Sequence, residues 1–160
     1  MILITRYKNK DIYYFAGSLA QLSSGIEDLP APHFVCGFLL HQTDWSKAEL
    51  EETVRHLLDR GCVYFLFHGN RCQEAHDVAD ETYYKTISAQ QMTSHNVVLT
   101  TWHDDESEEA FIFNVLCVAW PAHDYEDTFS SCVLISIGTP AENNRVKRLL
   151  SNLETTLQQE

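Results

Sequence analysis

From residue 33 onward the chain alternates between short, almost unbroken apolar runs and longer stretches whose apolar residues recur every three or four positions. "HFVCGFLL" (33–40), "CVYFLF" (62–67), "NVVLTTW" (96–102) and "SCVLISI" (131–137) are of the first kind. Runs of that length and composition predict strands covered on both faces. A stretch of the second kind follows each one. In "SKAELEETVRHLLDRG", Ser46 and Glu49 form a capping box, Leu50, Val54, Leu57 and Leu58 make one stripe, and Gly61 ends the helix. A helix from about Arg71 to Ser88 should bury Ala75, Val78, Ala79, Thr82 and Tyr83. "ESEEAFIFNVLCVAW" predicts a helix stopped near Pro121. The last helix carries a stripe of Val146, Leu149, Leu150, Leu153 and Leu157. Ahead of all this, "ILITRYKNKDIYYFAG" predicts two short strands around a Lys8-Asn9-Lys10-Asp11 turn. Residues 17–32 form a turn-rich connection with room for a short helix.

Strand then helix, four times over, is the pattern of an open, mostly parallel sheet with helices on both faces. The expected architecture is therefore an α/β three-layer sandwich, flavodoxin-like or Rossmann-like, with the N-terminal hairpin at the sheet edge. At 160 residues the chain is expected to form one domain. Its first 32 residues supply the hairpin and connection, and 33–160 supply the repeated units.

Composition adds limits. With 44% hydrophobic and 21% charged residues, the chain can bury a core and is neither disordered nor fibrous. "MILITRYKNK" meets charges too early for a signal peptide, and no stretch approaches the roughly 20 apolar residues of a membrane span. Cytoplasmic location and no membrane contact are the expectation. Cys36, Cys62, Cys117 and Cys132 fall in apolar runs, as inert buried thiols do, whereas Cys72 stands among polar residues. An odd count without close pairing does not suggest a disulfide framework.

Charge changes the picture more. The net charge of −12 repels nucleic acid. Between Thr86 and Asn144 there is no Lys or Arg, while nine acids fall there, so one side of the molecule should be strongly negative. That suits solubility, a cation or a basic protein partner.

In an open parallel sheet, ligands bind beyond the carboxyl ends of the strands. Those ends carry His41, His68, Trp102-His103-Asp104 and Gly138-Thr139. If the strands run side by side, His41, His68 and His103 share one edge and form a polar pocket. Gly69-Asn70-Arg71 opens a helix directly after a strand, offering free backbone N–H groups and a guanidinium to a phosphate or carboxylate. Gly138-Thr139 opens a second helix in the same way. Cys72 at a helix start is a candidate nucleophile and Glu74 a candidate carboxylate. Cys72 and His76, four apart, could meet as metal ligands, yet two ligands do not make a zinc site, and no residue is assigned to a metal. Asp104, Asp105 and Glu106 beside His103 cap a helix, hold Mg²⁺, poise a general base or form an acidic patch that docks a basic partner. Dinucleotide and P-loop motifs are absent, which disfavours hydride transfer.

Two short resemblances enter here. His68-Gly69 after an apolar strand resembles the His-Gly step of caspase-like proteases, but Trp102-His103-Asp104 stands where that family's nucleophilic Cys would be. "RCQEAH" is similar to the Cys-and-Glu helix start of TIR-like glycosidases, with Glu74 two residues after Cys72 rather than three. The expectation drawn from the residues is a His-lined site for an anionic, phosphate-like small molecule, serving a hydrolase or transferase. His68 and His103 (with Cys72 and Glu74) are the candidate catalytic groups. His41, Gly69, Asn70, Arg71, Trp102, Asp104, Gly138 and Thr139 are the candidate ligand-binding ones. The alternative is a non-enzymatic acidic module (inhibitor, immunity protein or adaptor) that binds a basic protein.

Overall fold

Lys8 and Asn9 both adopt positive φ, 46° and 66°. This is the two-residue primed turn whose twist suits an antiparallel pair. It joins β1 (Ile2–Tyr7) to β2 (Lys10–Ala16), with Tyr7 opposite Lys10. The remaining strands, β3 (His33–Leu40), β4 (Cys62–Gly69), β5 (Leu99–His103) and β6 (Phe129–Ile137), run parallel to β2. The sheet order is β1-β2-β6-β3-β4-β5. This is a computed structural model, and it describes residues 1–26, 32–88 and 90–152.

Helices cover both faces. α1 (Leu19–Gly25), α2 (Lys47–Asp59) and α3 (Cys72–Thr86) lie on one side, where Leu22, Leu50, Val54, Leu57, Ala75 and Val78 join Phe34, Phe38, Phe65 and Phe67 in one core. On the other side, α4 (Glu108–Phe113) and α5 (Pro140–Ser151) bring Phe111, Ile112, Val146 and Leu150 against Val35, Leu39, Leu66 and Leu134. The expected three-layer α/β sandwich is the fold observed, with the hairpin at one sheet edge. Among the described residues no helix is long and apolar enough to cross a membrane.

Most predicted elements appear where the patterning put them. The Ser46–Glu49 capping box forms, and Ala75, Val78, Ala79, Thr82 and Tyr83 are the buried face of α3, joined by Cys72. Two differ. β5 starts at Leu99 rather than at residue 96. The helix expected to run unbroken to Pro121 is α-helical only to Phe113 and then widens into a π turn, Asn114–Val118, closed by the Ala119 N–H donating to the Asn114 carbonyl at 2.7 Å. Val115 of this turn sits directly on β3: a Cβ added to Gly37 would come within 2.5 Å of its Cγ2. Leu153 and Leu157 of the last predicted stripe lie outside the described residues.

The order of strands reverses between β3 and β6. From β3 the chain steps outward through α2 to β4 and through α3 to β5. It then crosses back by α4 on the opposite face to place β6 between β2 and β3. Chains leaving the adjacent ends of β3 and β6 therefore depart to opposite faces, the arrangement that opens a ligand crevice in such sheets.

Gly37→Ala is expected to lower stability by about 1–3 kcal/mol, the usual range for overpacking a full core. Urea denaturation checks this, and an unchanged midpoint would show that the π turn can retreat from the sheet.

Candidate functional site

The histidines at the strand ends do come to one edge. His68 is opposite His103 in the β4–β5 register, and His41 follows Leu40, which is opposite Gly69. His68 Nδ1 donates to the His103 carbonyl at 2.7 Å. The His68 ring stacks on Phe111 of α4 at 5.1 Å, and the His103 ring meets the same phenyl edge-on at 5.5 Å. His41 lies just past the end of β3, its Nδ1 3.5 Å from Glu108 Oε1, while its buried Nε2 has no partner among the described residues. Glu108 in turn takes both guanidinium contacts of Arg145 from α5.

The anion-gripping elements are already engaged. Arg71 adopts a left-handed φ of 57° at the start of α3 and makes a two-pronged pair with Glu74, at 2.8 Å for each prong. Its remaining Nη1 donates to the carbonyls of Thr43 and Trp45, and the guanidinium lies 3.9 Å from the centre of the Trp45 ring. Asn70 is a second tie: its backbone N–H donates to Leu40 O at 2.7 Å and its side chain to His41 O at 2.6 Å. Gly69, at φ 95°, is needed because a Cβ there would lie 2.5 Å from Leu40 O. Gly69-Asn70-Arg71 thus staples the loop after β3 to the start of α3. At the other helix start, Thr139 caps α5, and the carboxylate of Glu142 accepts from the Thr139 N–H at 2.7 Å. The chain's own carboxylate occupies the place an external anion would take. Gly138 is crowded by His41, 2.8 Å from where its Cβ would be.

Cys72 is a correction. It is buried at 3% exposure rather than in a polar setting. Burial, with Asp104 adding to it, pushes its thiol up, against the lowering expected at a helix start. His76 turns away from it, toward Asp77, Asp80 and an edge contact with Trp102 at 4.7 Å. Glu74 is held by Arg71 at the surface. Trp102 is 43% exposed and Asp104 is exposed. The span without cations does not make one acidic side: Asp104, Asp105 and Glu109 follow β5, whereas Asp124, Glu126 and Asp127 precede β6, at the opposite end of the sheet.

What sequence reasoning missed is a hydrogen-bonded chain around His103. Asn114 Nδ2 donates to Glu106 Oε2 at 2.6 Å, Glu106 Oε1 lies 3.1 Å from His103 Nδ1, and His103 Nε2 lies 3.1 Å from Thr101 Oγ1. Burial alone would raise the Glu106 carboxyl, but hydrogen bonds from His103 and Asn114 outweigh it and hold the group below its usual range. The chain borders a groove of about 190 Å³ walled by Tyr64, Leu66, Leu99, Val118 and Trp120, with His103 and Asn114 at its polar end. Two signals pointed here. Thr101 and His103 are two apart on a strand and so share a face, and Asn114 is the lone polar residue inside "AFIFNVLCVAW".

The chain belongs to the family described as Domain of unknown function (DUF7684), whose model matches residues 18–153. No curated protein and no solved structure matches it.

Burial lowers His41 below its ordinary value of 6.5, although Glu108 and Glu142 pull the other way. The unfolded chain therefore takes up this proton first, so the stability tied to neutral His41 is complete above about pH 6.5 and lost as pH falls through the lower folded value. Unfolding free energies between pH 7.5 and 5 should fall more steeply for the native chain than for His41→Gln. Parallel curves would exclude this role.

Proposed function

We propose that the chain binds a small molecule in the groove beside His103 and acts on it by general acid–base catalysis, as a hydrolase or transferase. The observation that carries this reading is the Asn114–Glu106–His103–Thr101 chain at the groove's polar end. Asn114 fixes the carboxylate, and the carboxylate holds the His103 proton on Nδ1. Nε2 is then left as an acceptor aimed at the Thr101 hydroxyl. Carboxylate, imidazole and hydroxyl in that order form the general arrangement that activates a hydroxyl or water for attack. In this reading His103 takes a proton at Nε2 from a water or hydroxyl near Thr101 and returns it to the leaving group. A step of that kind is worth about 10²–10⁴ in rate. The π turn supports the assignment, because such turns recur at functional sites and this one supplies both Asn114 and a groove wall.

The groove's aromatic and aliphatic walls suit an apolar or aromatic body with one polar end. A phosphate-like group fits this edge less well: Arg71 is bound to Glu74, Arg145 to Glu108, and Glu142 fills the start of α5. A neutral ester or amide is the substrate class the surroundings favour. Docking of a basic protein has less support, because the acids divide between two ends of the sheet.

A panel of neutral aromatic esters and amides, with thermal-shift measurements alongside, tests the proposal. Turnover should appear for at least one compound and fall about 100-fold or more in His103→Ala. Glu106→Gln should also lose rate, whereas His76→Ala should not. Turnover unaffected by His103→Ala would overturn the assignment, as would the absence of any turnover or thermal shift across the panel.

A further inference from the structure

We propose that His95, His123 and Asp124 bind a divalent transition-metal ion of the zinc class, at the end of the sheet opposite His103. One ligand atom from each of the three side chains lies within 4.8 Å of the others. The two imidazoles are 5.5 Å apart between centres and inclined at 69°. Two imidazoles on one tetrahedral zinc, with bonds of about 2.0–2.1 Å, have their centres about 5 Å apart, so the rings already stand near the bound separation. His123 Nδ1 and Asp124 Oδ1 are 3.6 Å apart, against about 3.4 Å for two ligand atoms along an edge of that tetrahedron. Small side-chain rotations close the remaining gap.

The backbone holds this geometry independently of any ion. His95 lies in the loop ahead of β5, and His123 and Asp124 lie in the short 3₁₀ turn (His123–Tyr125) ahead of β6. The Asp124 N–H donates to the His95 carbonyl at 2.9 Å, and the Tyr125 hydroxyl donates to the Asn96 carbonyl at 2.7 Å. Asn96 is itself fixed, accepting from the Thr93 N–H at 2.7 Å and donating to the Gln91 carbonyl at 2.9 Å. Two segments remote in sequence are thus pinned together where the three candidate ligands meet, so an ion finds the site largely assembled.

The donor set selects the metal. Two imidazoles and one carboxylate suit Zn²⁺, Ni²⁺ or Cu²⁺, whereas Mg²⁺ and Ca²⁺ prefer oxygen-rich cages. Three protein ligands leave a fourth position for water. Exposed Glu126 and Asp127 nearby add to the attraction for a cation. Bound there, the ion would cross-link the entries to β5 and β6 and raise stability by mass action. This site shares no residue with the proposed His103 chain and stands whether or not that reading holds.

The full chain, stripped with chelator and dialysed, would be titrated with ZnCl₂ and NiCl₂ by calorimetry and by thermal shift, with MgCl₂ as the contrast. The expected result is one zinc per chain and a melting temperature that rises with zinc and not with magnesium. His95→Ala and His123→Ala, both at exposed positions outside the core, should each weaken binding at least about tenfold. His76→Ala, which removes the imidazole beside Asp77 and Asp80, should leave it unchanged. Absence of binding at a hundredfold excess of zinc over protein, or binding that survives both His95→Ala and His123→Ala, would overturn the proposal.

Discussion

Burial of β3 on both faces is the constraint from which the rest of the structure follows. Every residue from Phe34 to Leu40 is buried, so this strand requires hydrogen-bonded neighbours on both edges and helices on both faces. β4 takes one edge. The other is filled by β6, the last strand, which obliges the chain to return across the sheet after β5. That return carries α4 to the far face and makes the chain ends of β3 and β6 diverge. Gly37 in the middle of β3 then lets Val115 settle against the sheet, where any side chain would keep it away. The reversal of strand order, the π turn and the position of Asn114 all descend from one strand that has no exposed side.

Much of this was legible in the residues because burial leaves periodic traces. Phe34–Leu40 reads as a two-faced strand, Leu50, Val54 and Leu57 as a stripe, and Ser46 with Glu49 as a helix start, and each is found there. The convergence of His41, His68 and His103 was legible too, since parallel neighbours of similar length end at the same edge. The partners of those histidines were not. A sequence shows that Arg71 follows a strand, but not that the loop after β3 folds back to present two carbonyls and the face of Trp45 to its guanidinium. Cys72 was misplaced for a related reason: its neighbours in sequence are polar, while its neighbours in space are the core under α3.

Electrostatics at the carboxyl edge follow a single pattern, in which the cations are matched from within. Arg71 has Glu74, Arg145 has Glu108, and the start of α5 has Glu142. A carboxylate in the first turn of a helix is worth about 0.3–1 kcal/mol, and its presence lowers the attraction of that helix start for any other anion. Two glycine-opened helices beyond a parallel sheet look like anion sites in sequence. In three dimensions one is capped by its own acid, and at the other the arginine is already paired with Glu74.

What distinguishes His103 from the other imidazoles at this edge is how its partner is maintained. A carboxylate set against apolar walls loses hydration and tends to take up a proton. Glu106 resists because His103 and Asn114 both donate to it, and the balance leaves it charged. That balance depends on Asn114, which is in reach because the helix changes from α to π at this residue. The π turn in turn is seated against the sheet at Gly37. A line of dependence therefore runs from a glycine in the centre of the core, through Val115, Asn114 and Glu106, to the orientation of one imidazole at the groove's polar end. Since each link acts by contact or hydrogen bond, a change at the glycine should reach the imidazole as altered geometry even though the two residues do not touch.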